Sequence, residues 1–175
     1  MSSAAILIAG PPGAGKTSVL EKLSTLLEIE MVEFGAIESE QLGWGSPWLN
    51  DETAASQLQV VLKMQRDAGR RLFLIAATTE TERQLRRIVQ AAAAEKVTVV
   101  LLTAPPGVVA DRVREREPDN WPGKQQLIAH ARELAILMPG LSGVDLTLST
   151  DGRQADDAAR ELLAALKAAD ALSAH

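Results

Sequence analysis

The 175-residue sequence has no cysteine and no tyrosine, and aromatic residues make up only 3% of it. Without cysteine there is no disulfide framework, no thiolate metal site and no cysteine nucleophile. The lack is compatible with a reducing compartment, and the expected location is cytoplasmic. Histidine is nearly absent as well. His130 and His175 are far apart in sequence, so a metal site other than one for magnesium lacks donors. No apolar run approaches the ~20 residues that cross a bilayer. The segment before Gly10 lacks the charged region of a secretory signal. Positive charge is in deficit too, with a net charge of −5. That argues against a nucleic-acid partner, which needs a basic surface, and leaves room for a local basic pocket.

Hydrophobic residues make up 46% and charged residues 23% of the chain, ordinary for a globular protein. The length suits a single domain over residues 1–175. Apolar runs at 4–9, 31–34, 72–77, 97–102 and 144–148 predict strands. Between them, Val19, Leu20, Leu23, Leu26 and Leu27 repeat at helical spacing. So do Leu58, Val61 and Leu62; Leu85, Ile88, Val89 and Ala92; Val108, Val109 and Val113; residues 127–138; and Ala158, Ala159, Leu162, Leu163 and Leu166. Sustained strand–helix alternation specifies an α/β fold with parallel strands and helices on both faces. The last residues, 172–175, are expected to fray.

Between the first strand and first helix lies Gly10, Pro11, Pro12, Gly13, Ala14, Gly15, Lys16, Thr17, which fits GxxxxGK[ST] at every fixed position; Ser18 follows. Glycines let main-chain amides curl around phosphate oxygens, and the next helix aims its positive end at them. Lys16 supplies charge for the β- and γ-phosphates, and Thr17 a hydroxyl for Mg²⁺. The pattern implies binding of a nucleoside triphosphate, ATP with Mg²⁺. Farther on, Arg112 and Arg116 are one helical turn apart and share a face. They are either the arginines of a closing lid or part of a solvated charged helix.

The phosphate loop, the arginine cluster 112–116 and the segment 148–153 together resemble the small P-loop kinases of the nucleoside-monophosphate kinase superfamily, among them shikimate, gluconate and adenylylsulfate kinases and chloramphenicol phosphotransferase. The resemblance implies a three-layer fold with a five-stranded parallel sheet in the order 2-3-1-4-5 and a lid at about 112–139. It also implies phosphoryl transfer from ATP to a hydroxyl of a small molecule. On that pattern one of Arg112 and Arg116 stacks on adenine while the other approaches the phosphates, and Arg132 closes from the far side. Gly152 and Arg153 lie in the loop that wraps the adenine edge; a plain strand-to-helix turn accounts for them equally.

The acceptor belongs beyond the carboxyl ends of the first three strands, lined by 33–40, 44–48 and 78–83. Many relatives carry an aspartate after strand two; here Glu33 and Glu38 stand near that place, and Glu33 is favoured as general base by position. Trp44 and Trp48 either wall the acceptor by stacking or pin their loop to the core. Thr78 and Arg83 are further acceptor-side candidates. The run 72–79 ends in Thr78 and Thr79, with no aspartate, so the acid usual at the end of the third strand is missing. Two functions compete: a kinase for a small-molecule hydroxyl, and a nucleotide-binding regulatory module or slow ATPase with no acceptor. A monomer or homodimer is expected, with no membrane partner.

Overall fold

Six consecutive apolar residues form β1 (Ala4–Ala9), buried throughout. The computed structural model, which describes residues 2–172, places this strand at the centre of one sheet. It pairs in parallel with β3 (Leu72–Ala77) on one side and β4 (Lys96–Thr103) on the other. The short strands β2 (Gly35–Glu38) and β5 (Leu146–Ser149) complete a five-stranded parallel sheet in the order β2-β3-β1-β4-β5. This is the order the resemblance implied.

Strand periodicity sorts the core onto two faces. Ala4, Ile6 and Ile8 of β1 and Leu72, Leu74 and Ala76 of β3 point to one side. There they meet Leu20, Leu23 and Leu27 of α1 (Lys16–Ile29) and Leu162 and Leu166 of α7 (Ala155–Ala168). Ala5, Leu7, Phe73 and Ile75 point to the other side, against Leu58 and Leu62 of α3 (Asp51–Asp67) and Leu85 of α4 (Glu82–Ala92). Burial on both faces explains why β1 and β3 read as unbroken apolar runs. Leu172 packs at the edge of the first core. The expectation for the chain end at 173–175, His175 included, lies outside the described residues.

The second strand lies four residues later than expected. Residues 30–32 are occupied in closing α1: Glu30 N–H donates to the Leu26 carbonyl, Met31 to Glu28 and Val32 to Leu27, with Met31 at φ 56°. Tied back in this way, they cannot pair with β3. Pairing starts at Gly35, where an added Cβ would lie 1.8 Å from Gln65 Oε1 of α3. The four-residue helix α2 (Ser39–Leu42) follows β2 at once.

After β4, α5 (Pro106–Arg116) and α6 (Lys124–Leu137) form a hairpin with its own small core of Val109, Ala110, Val113, Ile128 and Ala131. Buried Lys124 secures the turn between them. Its Nζ donates to the Glu117 carbonyl and the Asp119 carboxylate, each at 2.7 Å. The hydrogen bond and charge of Lys124 hold the Asp119 carboxyl below its ordinary range. The C-terminal end of α6 and the 3₁₀ turn Met138–Gly140 sit on the sheet through Leu134 and Met138, beside Ala9 and Leu101.

Leu23 of α1 is fully buried beneath the sheet. Leu23→Ala is expected to lower unfolding free energy by about 2–5 kcal/mol in denaturant titration, the usual cost of such a truncation.

Candidate functional site

The loop from Gly10 to Thr17 joins the carboxyl end of the central strand to α1. That helix has no side-chain cap and no acidic residue in its first turn. By contrast, α3 is capped by the Asn50 side chain and carries Asp51 and Glu52, and α4 is capped by Thr81 and carries Glu82. The amides and positive end of α1 are therefore left for an anion. Gly13 stands at φ +82°, and a Cβ there would lie 2.4 Å from the Val109 carbonyl oxygen, so loop and α5 touch backbone to backbone. Pro11, Pro12 and buried Ala14 complete the bend, with Ala14 N–H donating to the Pro11 carbonyl at 3.1 Å.

Lys16 is partly buried and folds over the loop, its Nζ donating to the carbonyls of Gly10 at 2.9 Å and Pro11 at 3.2 Å. Burial pulls its pKa below the usual lysine value. The carboxylates of Glu40 and Glu38 oppose the shift and Arg116 adds to it. Thr17 and Ser18 are exposed on the first turn of α1.

The two arginines of α5 part company. Arg112 turns inward: its guanidinium donates to the carbonyl of Gly13 at 3.1 Å and to Thr150 at both Oγ1 (3.0 Å) and carbonyl (2.7 Å). Thr150 Oγ1 in turn donates to the Ala14 carbonyl at 2.9 Å. A cleft of about 200 Å³ opens here, with Gly15, Ser18, Arg112, Thr150 and Arg153 among its lining residues. Arg153 is fixed by the Ser149 carbonyl and Glu161, and Gly152 lies exposed in the same turn. Arg116 is exposed and paired with Glu117 at 2.7 Å, yet its charge reaches Lys16. Arg132, expected to close from α6, is exposed and lines neither this cleft nor the next.

A second cleft, of about 160 Å³, lies between α2, α3 and the end of β3. Glu40, Trp48, Asp51, Thr78, Thr79 and Arg87 are among its lining residues. Three expectations require correction. Glu33 precedes β2 and is exposed at the end of the sheet opposite the phosphate loop, so it is in no position to act as the base. Trp44 is 81% exposed and does not line the cleft; Trp48, 70% exposed, does. Neither pins its loop to the core. Arg83 is exposed and outside the cleft, while Arg87, one turn later on α4, lines it and sits 3.7 Å from Asp51.

The missing acid after β3 has a counterpart that sequence reading passed over. Glu40, from α2, accepts a hydrogen bond from the Thr78 amide at 2.7 Å, which brings a carboxylate to the end of β3 from the neighbouring strand's continuation. The pattern Glu38-Ser-Glu40 carried the signal, but only once β2 is placed at 35–38. Glu38 ends β2, its Oε2 accepting from Gln41. Glu38 Oε1 and Thr79 Oγ1 are enclosed without a hydrogen-bond partner among the described residues. Glu80, in the turn after β3, meets His130 of α6 at 2.8 Å and so links that turn to the helical hairpin.

A family model for the AAA domain matches residues 6–126, most of the chain. The chain belongs to the AAA domain family. No curated protein matches it. Among solved structures, this AAA domain is similar to a shikimate kinase from Acinetobacter baumannii in complex with shikimate, at 21% identity over 95% of this chain and 94% of that one, TM-score 0.62. It is likewise similar to the APS kinase of Mycobacterium tuberculosis with AMPPNP and APS, at 20% identity over 95% and 98%, TM-score 0.65. A gluconokinase from Sinorhizobium meliloti 1021 superposes at 18% identity over 95% and 93%, TM-score 0.64. The chain shares the fold of P-loop small-molecule kinases.

The donors present in the AAA domain fit Mg²⁺ held jointly with a nucleotide. Among the described residues there is no group of three His, Cys, Asp or Glu able to hold a metal alone. The available donors are hard oxygens: the Thr17 hydroxyl, the unpartnered Glu38 Oε1 and Thr79 Oγ1. Mg²⁺ is suited by such a set, since it keeps several waters and takes one or two protein ligands plus phosphates.

Gly13→Ala places a methyl against the Val109 carbonyl at a positive φ. The variant is expected to lose about 1–3 kcal/mol of stability in chemical denaturation. An unchanged midpoint contradicts the backbone contact.

Proposed function

We propose that the protein is an ATP-dependent phosphotransferase that moves the γ-phosphoryl group to a hydroxyl of a small molecule. One observation carries this reading: Glu40 lines the cleft and accepts a hydrogen bond from the Thr78 amide at 2.7 Å. An acceptor-facing carboxylate is thus fixed at the carboxyl end of β3, the strand next to the one that leads into the phosphate loop. Slow hydrolysis without an acceptor needs no such cleft.

In this reading Gly10 to Thr17 hold the triphosphate through main-chain amides and the positive end of α1. Lys16 exchanges its bonds to the Gly10 and Pro11 carbonyls for the β- and γ-phosphates, whose negative charge offsets the burial that lowers its pKa. Arg112, Gly152, Arg153 and Ser18 form the nucleoside end. Thr17 and Glu38 are the residues that would hold Mg²⁺, which neutralises charge on the phosphate oxygens when bound. Glu40 orients the acceptor hydroxyl and takes its proton as the oxygen attacks the γ-phosphorus; the bond to the β,γ-bridging oxygen breaks and ADP carries that oxygen away. Arg116, exposed on α5 with its charge already felt at Lys16, approaches the phosphoryl group as the turn between α5 and α6, within the lid expected at about 112–139, closes. The carboxylate at the end of β3 weakens the alternative of a regulatory module, whose main support was the missing acid.

³¹P NMR of ATP with a panel of alcohols tests this. Phosphorylated product is expected with at least one alcohol. Glu40→Gln should cut transfer by about 10²–10⁴-fold with ATP affinity nearly kept, the usual span for loss of a general base, whereas Glu33→Gln should leave turnover intact. Turnover unaffected by Glu40→Gln would falsify the assignment of the base. Lys16→Ala is expected to abolish ATP binding in calorimetry.

A further inference from the structure

The charged side chains lining the acceptor cleft are Glu40, Asp51 and Arg87, two carboxylates against one guanidinium. The guanidinium is already balanced: Arg87 lies 3.7 Å from Asp51 Oδ2, while Asp51 Oδ1 faces Gln84 Nε2 at 3.5 Å. What remains is the single negative charge of Glu40. The other cations nearby are matched by carboxylates outside the lining: Lys16 feels Glu38 as well as Glu40, and Arg116 pairs with Glu117. The rest of the lining is hydroxyl-bearing or apolar, with Thr78 and Thr79 at one wall and Trp48, Leu49 and Ile88 at another.

A carboxylate, phosphate or sulfate entering this space meets only Arg87, whose charge Asp51 offsets, and the like charge of Glu40, which is repulsive in a partly desolvated site. A neutral molecule meets neither penalty and gains by covering Trp48 and Ile88. We propose that the cleft selects an uncharged alcohol with a flat or apolar body, its hydroxyl directed to Glu40 and its apolar face against Trp48. The fate of that hydroxyl rests on the phosphotransfer reading; the charge selection does not. Asp51 is the specificity-determining residue, because its carboxylate offsets the charge that Arg87 would otherwise offer an anionic ligand.

Tryptophan fluorescence titration without nucleotide tests the selection, using matched pairs of an acid and its methyl ester: shikimate with methyl shikimate, and mandelate with methyl mandelate. Trp48→Phe assigns the signal to the cleft. Within each pair the ester is expected to bind at least about tenfold more tightly than the acid, a difference of one decade in Kd. Asp51→Asn frees Arg87 and should narrow or reverse that gap, with the melting curve recorded to show that the variant is folded. Acids that bind as well as their esters in the wild-type protein overturn the proposal. So does the absence of saturable binding by either ester at millimolar concentration. The same esters are then incubated with ATP and Mg²⁺ and followed by ³¹P NMR: ester selectivity with no phosphorylated product from these esters or the alcohol panel sinks only the phosphotransfer reading. Reversed selectivity with product formed sinks only this one.

Discussion

The arrangement depends on a bend of main-chain amides between the central strand and a helix left without a side-chain cap. Such an end is electrostatically unfinished, and an anion completes it. Several features hold the bend in shape. β1 is hydrogen-bonded on both sides and buried on both faces. Gly13 rests on the Val109 backbone, and Arg112 and Thr150 tie the loop to α5 and to the turn after β5. The loop is therefore held by three separate elements, so that its amides are oriented in advance of any ligand.

The acceptor half is built differently. Its carboxylates come from the end of β2 and from α2, a single turn of helix, and its walls from the exposed segment around Trp48 and the first turn of α3. Parallel pairing puts Glu38 opposite Ala76, so the end of β2 and the end of β3 are neighbours. This adjacency lets Glu40 reach the Thr78 amide and stand where β3 has no acid of its own. The electrostatic effect of Glu40 and Glu38 on Lys16 joins the two halves of the site.

Much of this was legible in the residues. β3 begins and ends as its apolar run predicts, β1 likewise, because strands buried on both faces leave no polar interruption. The bend at 10–17 was legible because its glycines follow from backbone geometry, Gly13 and Gly15 standing at positive φ. The second strand was not, because Val32 and Phe34 are apolar for another reason: they pack on the first core while the chain closes α1. That displacement carried the choice of base to Glu33, at the wrong end of the sheet. Which arginine of α4 lines the cleft depends on the phase of that helix, which turns Arg87 toward Asp51 and leaves Arg83 exposed, and spacing alone does not fix that phase. Glu40 was hidden for a topological reason, since its partner Thr78 is 38 residues away.

The central claim is that the main-chain amides of this loop bind polyphosphate, and amide-resolved ¹H–¹⁵N NMR during titration with ATP and Mg²⁺ tests it most directly. The account predicts saturable shifts that are largest at Gly13, Gly15, Lys16 and Thr17, with a smaller response at Arg112 and Thr150. Spectra that stay unchanged at millimolar ATP, or shifts confined to residues far from the loop, contradict it.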